Sequence, residues 1–319
     1  MTPDARVYAY SAVLMGSPIL LKLFEHNESL ASRVFRLIKQ QENIFTVNRN
    51  DSDIMAINHA AGSHAVSVSP PIFNLIECAK AVSLLPDSCF NFTIGPLVKC
   101  WKIGFSGNSV PDADALRALI ALTDPHDVIL DEQSCSVFLQ KAGMEIDLGA
   151  IAKGYIADVV RDFLHQERVQ HALINLGGNV QTLGAGGEGA WAIGLRTPFS
   201  EPDALIGVIN VNGKSVVTSG IYERYFECDG HRYHHILDPK TGYPLDNELL
   251  SVTVISDNSI DGDIYTTLLY GMGVEKSLRY LHNFPDIEAI FVTRDQQVIF
   301  SSQRQFTFTL LDNRFCTVY

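Results

Sequence analysis

The second half of the chain strings together short β-prone runs with few helical stretches between them. HALINL (171–176), WAIGLR (191–196), LIGVINV (205–211), RYFEC (224–228), HRYHHIL (231–237), SVTVIS (251–256), EAIFVT (288–293) and QVIFS (297–301) all qualify as strands. Helical patterns there are confined to 262–270 and about 274–283. The first half reads as two strands at about 7–14 and 18–24, helices at 28–43, 70–85 and 111–122, short strands near 127–130, 136–140 and 144–147, then a helix from Ile151 to about Gln166. Helices and strands mix without a regular βαβ alternation, which favours an α+β fold over a doubly wound sheet. No repeat, linker or low-complexity run divides the 319 residues, so we read 1–319 as a single domain with room for two lobes sharing one core.

One hairpin is specified to the residue. Asp229-Gly230 between RYFEC and HRYHHIL is a strong two-residue turn signal. That register sets Phe226 against Tyr233 and Arg224 against His235 on one face, with Glu227 and Arg232 paired on the other.

Charge narrows the function classes. The chain carries 24 Lys and Arg against 36 Asp and Glu, a net −12, opposite in sign to a nucleic-acid groove. An acidic protein that handles phosphates needs local cations or a metal to offset its own field. The 6 cysteines form no CxxC pair and no zinc spacing, a usage that suits a reducing compartment. The N-terminus MTPDARVYAYSAVLMG has one Arg and no apolar run of signal-peptide length, and no stretch reaches the roughly 18 apolar residues of a membrane span. We therefore expect a cytoplasmic protein.

Several segments could carry chemistry. GAGGEG (184–189) matches G-x-G-x-x-G, but a strand-like WAIGLR follows where the dinucleotide motif needs a helix, so a hairpin loop is the better reading. In Glu145–Tyr155 a strand ends near Asp147, Gly149 allows a tight turn, and a helix begins whose free N–H groups favour an anion. Lys153 lies in that first turn, where a bound phosphate would offset its clash with the helix dipole; a solvated lysine fits the same pattern. LINLGGN (173–179) is a strand ending in a glycine pair, either a plain turn or a close approach to a ligand. Asp263 and Thr267 share one helix face and form a hard oxygen set suited to Mg2+, although an acidic residue in a first turn is also ordinary dipole stabilisation. His235, at a strand end before the turn Asp238–Gly242, has the chemistry of a general base, and a neighbouring Arg224 cation would favour its neutral form.

The order of these segments carries more than any one of them. M-G-S at 15–17, F-N-F-T-I-G-P-L at 90–97 with Trp101, D-L-G-A-I-A-K-G-Y at 147–155, I-N-L-G-G-N at 174–179, T-S-G-I-Y-E-R at 218–224, Y-H-H-I-L-D-P-K-T-G-Y-P at 233–244 and D-I-Y-T-T at 263–267 follow one another. This series resembles the ApbE family, the FAD:protein FMN transferases, from about residue 11 to 273. The resemblance implies a T-fold-related α+β domain of mixed, largely antiparallel sheets with packed helices and one flavin-nucleotide pocket.

It also implies Mg2+, with Mn2+ as the alternative, held by the Ala150 carbonyl, Asp263 and Thr267 with help from Thr266. Met15, Asn48, Cys89, Phe90, Asn91, Asp147, Lys153, Gly178, Asn179, Ser219 and Ile236 fall at flavin-nucleotide positions, and His235, Asp263 and Lys153 at catalytic ones. The reaction implied is cleavage of the FAD pyrophosphate, transfer of FMN to a Ser or Thr of a target flavoprotein and release of AMP. Three features depart from the family pattern. Asn48, in F-T-V-N-R (45–49), stands where an aromatic able to stack on the flavin is common. Asn91 replaces a frequent aspartate. The secretion or lipoprotein signal common in the family is not seen, which points to a cytoplasmic acceptor such as a soluble reductase. The rival readings are an FAD pyrophosphatase giving free FMN and AMP, and a non-catalytic flavin-binding module.

Overall fold

The computed structural model describes residues 6–318. The chain forms two compact units, one from Met1–Glu42, Ala152–Gly220 and Asn247–Tyr319, the other from Asn43–Ile151 and Ile221–Asp246.

The first unit is built on a nine-stranded sheet. Its order is Tyr8–Leu14, Ser17–Leu23, Ala172–Leu176, Asn179–Leu183, Ser215–Gly220, Leu249–Ser256, Glu288–Thr293, Gln297–Phe300 and Cys316–Val318. Every pairing is antiparallel except the last. Alternation along these strands gives the sheet two different faces. Leu173, Val180, Val216, Ile255 and Ile290 point to one side and meet Trp191, Leu195 and Ile209 of a three-stranded sheet, Thr307–Leu310, Leu205–Val211 and Trp191–Arg196. The other side carries the helices Ala152–Gln166 and Ser259–Leu281. The unit is therefore α+β, as the irregular mix of helices and strands predicts, and its sheets are largely antiparallel, as the family resemblance implies.

In the second unit the helices Asp53–His59, Pro70–Ser83, Gly95–Trp101 and Ala113–Ile120 accompany a small antiparallel sheet of Val66–Ser67, Ser136–Leu139 and Val128–Asp131. One of its cores gathers Leu97, Trp101, Ile103, Leu116 and Leu237. Trp101 is almost wholly enclosed, and its indole N–H donates to the Gly242 carbonyl at 2.7 Å. A buried tryptophan needs such a partner. The bond ties the Asp238–Gly242 turn to the helix that carries Trp101.

The Asp229-Gly230 hairpin forms in the expected register, with Phe226 opposite Tyr233 and Glu227 opposite Arg232. Both turn residues have positive φ, 49° and 75°, as a two-residue turn of matching twist requires. The Phe226 and Tyr233 rings stack at 5.3 Å, and Arg232 reaches Glu227 at 2.9 Å. The two helices expected at 262–270 and 274–283 run together as Ser259–Leu281 with a break at Gly273, whose φ is 74°.

Other expectations need correction. No strand forms at 144–147. The Ile146 N–H and carbonyl bond instead to the amide of Asn58, at 2.8 and 3.0 Å, and the Asp147 N–H donates to the Phe92 carbonyl at 2.8 Å. With its backbone groups satisfied this way, the segment needs no ladder partner. The helices Asp53–His59 and Gly95–Trp101, at 7 residues each, are too short to show a helical period. The GAGGEG loop is no hairpin: it leads from Asn179–Leu183 in the large sheet to Trp191–Arg196 in the small one. No helix follows it, so the dinucleotide motif fails as expected.

Candidate functional site

In the first unit, two tight turns and two helix ends meet around Asp263. The turn Met15-Gly16 joins the first two strands, with φ of 52° and 66°. A positive φ at a methionine is uncommon and marks a backbone held by its surroundings. The turn Gly177-Gly178 joins the next pair, with φ of 71° and 99°. A Cβ at Gly177 would lie 2.8 Å from that of Ser17 and 3.5 Å from Lys153 Nζ, so only glycine lets the two turns and the ammonium group come together. A Cβ at Gly178 would meet nothing within 4 Å, so its backbone is open to approach.

Asp263 lies in the first turns of the helix Ser259–Leu281. Its Oδ2 accepts the Gly154 N–H at 2.5 Å and its Oδ1 accepts Asn179 Nδ2 at 2.9 Å. Gly154 belongs to the N-terminal turn of the helix Ala152–Gln166, where an anion was expected. The anion found there is the protein's own carboxylate. The capping is reciprocal. Asp158, on the Ala152–Gln166 helix, accepts the N–H groups of Ser259 and Ile260 at 2.8 and 2.9 Å. Those are two of the donors that a helix start leaves unsatisfied. Each helix thus supplies the carboxylate that closes the other's N-terminus.

Burial of its carboxyl raises the Asp263 pKa to about 7, against the lowering effect of the Gly154 and Asn179 bonds and the Lys153 charge. A carboxylate offers about four lone-pair sites. Two are taken, which leaves oxygen lone pairs for a cation. Thr266 is fully buried, and its hydroxyl is committed: it donates to the Asp263 carbonyl at 3.0 Å and accepts from Ser219 Oγ at 3.0 Å. The Thr267 hydroxyl makes only a long contact to the same carbonyl, 3.4 Å. Among the described residues no group of three or more His, Cys, Asp or Glu could hold a metal ion. Mg2+ asks for less, one or two carboxylates with the remaining positions filled by water and substrate phosphate oxygens. The hard oxygens around Asp263 fit that demand.

The second unit holds the other expected residues. Asp147 accepts the Gly149 N–H at 2.7 Å, closing the turn that leads toward Ala150, which is exposed. Burial raises the Asp147 pKa, with the Gly149 bond and the charges of Arg224 and Lys99 opposing it. The Phe90 ring is inside the core. The Asn91 side chain is spent on structure: Oδ1 accepts from Thr93 N–H and Oγ1 at 2.8 and 2.6 Å, and Nδ2 donates to the Thr123 carbonyl at 2.8 Å. Both side chains shape the 90–94 segment, whose backbone is itself held by Ser83, Ser88 and Asp147. Cys89 lies beside Lys240, Asn48 is exposed, and Ile236 is buried.

The two adjacent histidines differ in kind. His234 is buried, with Nε2 on the Leu245 carbonyl at 2.7 Å and Nδ1 accepting the Ile236 N–H at 3.3 Å, the bonding of a structural histidine. His235 is half-buried, and its Nδ1 lies 3.2 Å from the Arg224 carbonyl. A carbonyl only accepts, so that bond places a proton on Nδ1, and in the neutral ring Nε2 is then the basic nitrogen. The pairing of Arg224 with His235 thus forms through the backbone, while the Arg224 guanidinium lies 5.7 Å from the Phe105 ring centroid.

Gly154, Asp158, Ser215 and Ser259 were missed from the sequence. Asn258-Ser259 before an apolar run is a helix-start signal, but nothing local shows that Asp158 caps it.

Residues 15–291 match the model of the ApbE family. The chain is 64% identical over 310 residues to an FAD:protein FMN transferase of Klebsiella pneumoniae (strain 342), covering 97% of this chain and 96% of that one. It is 36% identical over 329 residues to an FAD:protein FMN transferase of Treponema pallidum (strain Nichols), covering 97% and 91%. Among solved structures, the ApbE protein of Thermotoga maritima superposes with a TM-score of 0.80 at 30% identity, over 90% of this chain and 94% of its own.

Proposed function

The chain belongs to the ApbE family, and from that premise we propose that it is a Mg2+-dependent FAD:protein FMN transferase, with 1–319 acting as one catalytic domain. The observation that carries the metal and phosphate half of this reading is Asp263. Its carboxylate is desolvated, pinned on both oxygens, and set among Lys153, the glycine turn whose Gly178 backbone is open, and the Thr267 hydroxyl. In this reading Asp263, Thr267 and the Ala150 carbonyl hold Mg2+, with Thr266 contributing its carbonyl, since its hydroxyl is already committed. When bound, the ion neutralises charge that develops on the pyrophosphate oxygens as the bond breaks.

The protein's own groups do the rest. Lys153 adds a positive charge to the phosphates. Met15, Gly178, Asn179, Ser219, Asn48, Cys89, Phe90, Asn91, Asp147 and Ile236 supply the flavin-nucleotide contacts. His235 Nε2 takes the proton from a serine or threonine hydroxyl of the acceptor as that oxygen attacks the FMN phosphorus. The new P–O bond forms in line with the breaking pyrophosphate bond, and AMP departs. No helix of the described residues is long and apolar enough to cross a membrane. The six cysteines are spaced with no CxxC pair and no zinc pattern, a usage that supports a reducing compartment and a cytoplasmic flavoprotein reductase as acceptor.

The test is incubation with FAD, Mg2+ and candidate acceptor flavoproteins, read by intact mass of the acceptor and by release of AMP. The expected result is one FMN gained by the acceptor for each AMP released. Release of free FMN with no acceptor gaining mass would replace the transferase by a pyrophosphatase.

A further inference from the structure

We propose that Ser259, backed by Ser215, is a positioning residue for the cation held by Asp263. The inference rests on the metal reading above and assigns a role to residues outside the expected ligand set.

The geometry is a single file of hydrogen bonds. Ser215 Oγ donates to Ser259 Oγ at 2.9 Å, Ser259 Oγ donates to Asn179 Oδ1 at 2.5 Å, and Asn179 Nδ2 donates to Asp263 Oδ1 at 2.9 Å. Ser215 and Ser259 are wholly buried and Asn179 nearly so. Every donor points toward the carboxylate, so each bond polarises the next and the file ends on an anion. The two serines come from different elements, a strand and a helix start, and Asp158 fixes the second by holding the Ser259 N–H.

The file matters because an amide has two nearly isosteric orientations. With Ser259 donating, Asn179 Oδ1 is satisfied and Nδ2 faces Asp263. Without that hydroxyl, Oδ1 is left buried and unmatched. A flip relieves it only by turning Oδ1 onto the Asp263 carboxylate, acceptor against acceptor. Unflipped, the amide still donates to Asp263 but nothing fixes it in that orientation; flipped, Asp263 Oδ1 loses its partner and Gly154 alone holds the group through Oδ2. A carboxylate held at one oxygen can rotate, and the direction of the lone pairs left for a cation is no longer set.

The test measures binding of Mn2+ by electron paramagnetic resonance, on the full chain with ADP as an unreactive nucleotide, together with the KM for FAD at saturating Mg2+. Ser259→Ala should weaken Mn2+ binding about five- to tenfold, the scale of one hydrogen bond, and leave the KM for FAD unchanged. A lowered melting temperature with Mn2+ affinity unchanged would assign Ser259 a purely structural role and overturn the proposal. If Ser259→Ala does not fold by circular dichroism, Ser215→Ala removes only the first link and should shift Mn2+ affinity in the same direction, by about twofold or more. No shift there overturns the proposal as well. Asp263→Asn separates the two levels. If it leaves Mn2+ binding intact, or the unsubstituted protein binds none, the metal reading fails and takes this proposal with it. If Asp263→Asn abolishes binding while Ser259→Ala does nothing, only the positioning role is lost.

Discussion

Gly154 sits where the helices Ala152–Gln166 and Ser259–Leu281 touch, and replacing it by alanine sets two effects of opposite sign against each other. Its backbone is helical, so alanine favours the helix by about 1 kcal/mol. The new Cβ, however, would lie 2.7 Å from Ile260 Cα and 2.8 Å from Ile260 N, and nearer still to the Ser259 carbonyl oxygen. These are backbone atoms of a helix start that Asp158 already clamps, so no rotamer change relieves the overlap. Reaching ordinary contact needs the helices to part by about 0.7–1 Å. Overpacking of this kind costs about 1–3 kcal/mol. The same movement stretches the Gly154 N–H bond to Asp263, now 2.5 Å, and a bond to a charged group contributes about 1.5–3 kcal/mol. The terms share one contact and do not simply add, so the expected net loss is about 2–4 kcal/mol. Guanidinium unfolding of Gly154→Ala should show a lower midpoint, and Mg2+ activation should need more metal. A variant as stable as the parent, or more so, would mean that helix propensity outweighs the contact and would refute the close-approach argument.

Metal activation should depend on pH through Asp263. With a folded pKa of about 7, a proton competes with the cation below neutrality, so the Mg2+ concentration for half-activity should rise as pH falls from about 8 to 6; a flat profile would contradict this. Stability carries the opposite sign. The folded pKa lies above the unfolded value, so in metal-free protein this group's contribution is present at low pH and lost as pH rises through about 7; Asp263→Asn should remove that slope in thermal melts. His235→Ala should lower kcat by about 10²–10⁴ with the melting temperature little changed, whereas His234→Ala, which strips two buried hydrogen bonds, should cost about 1–3 kcal/mol of stability. Unchanged turnover in His235→Ala would remove it as the base. Asp158→Ala should destabilise the chain by about 0.5–2 kcal/mol as a lost cap, seen as a lower melting temperature.

Much of the local backbone geometry is legible in the sequence because its parts are local. The D-L-G turn at 147–149 and the glycine pair at 177–178 are short-range patterns. The helix pair broken at Gly273 and the register around Asp229-Gly230 follow from backbone chemistry within a few residues. Where local signals were weak, the reading slipped. Residues 144–147 look like a strand, but the Asn58 amide, 88 residues away, takes the backbone groups that a ladder would need.

The sequence by itself determined the α+β class, the turns and the order of the family's motifs, because those depend on side-chain period, φ preference and spacing along one chain. Only the tertiary structure decided what holds Asp263. Its two partners lie 109 and 84 residues away in the chain, Gly154 and Asn179, and the hydroxyl that orients Asn179 lies 80 residues from it. In a sequence, an aspartate in a first helical turn is dipole stabilisation. In the fold it closes a neighbouring helix and loses its water, and burial of that kind has no local signature. That is the physical reason the candidate metal ligand could be named from the sequence while the apparatus that holds it could not.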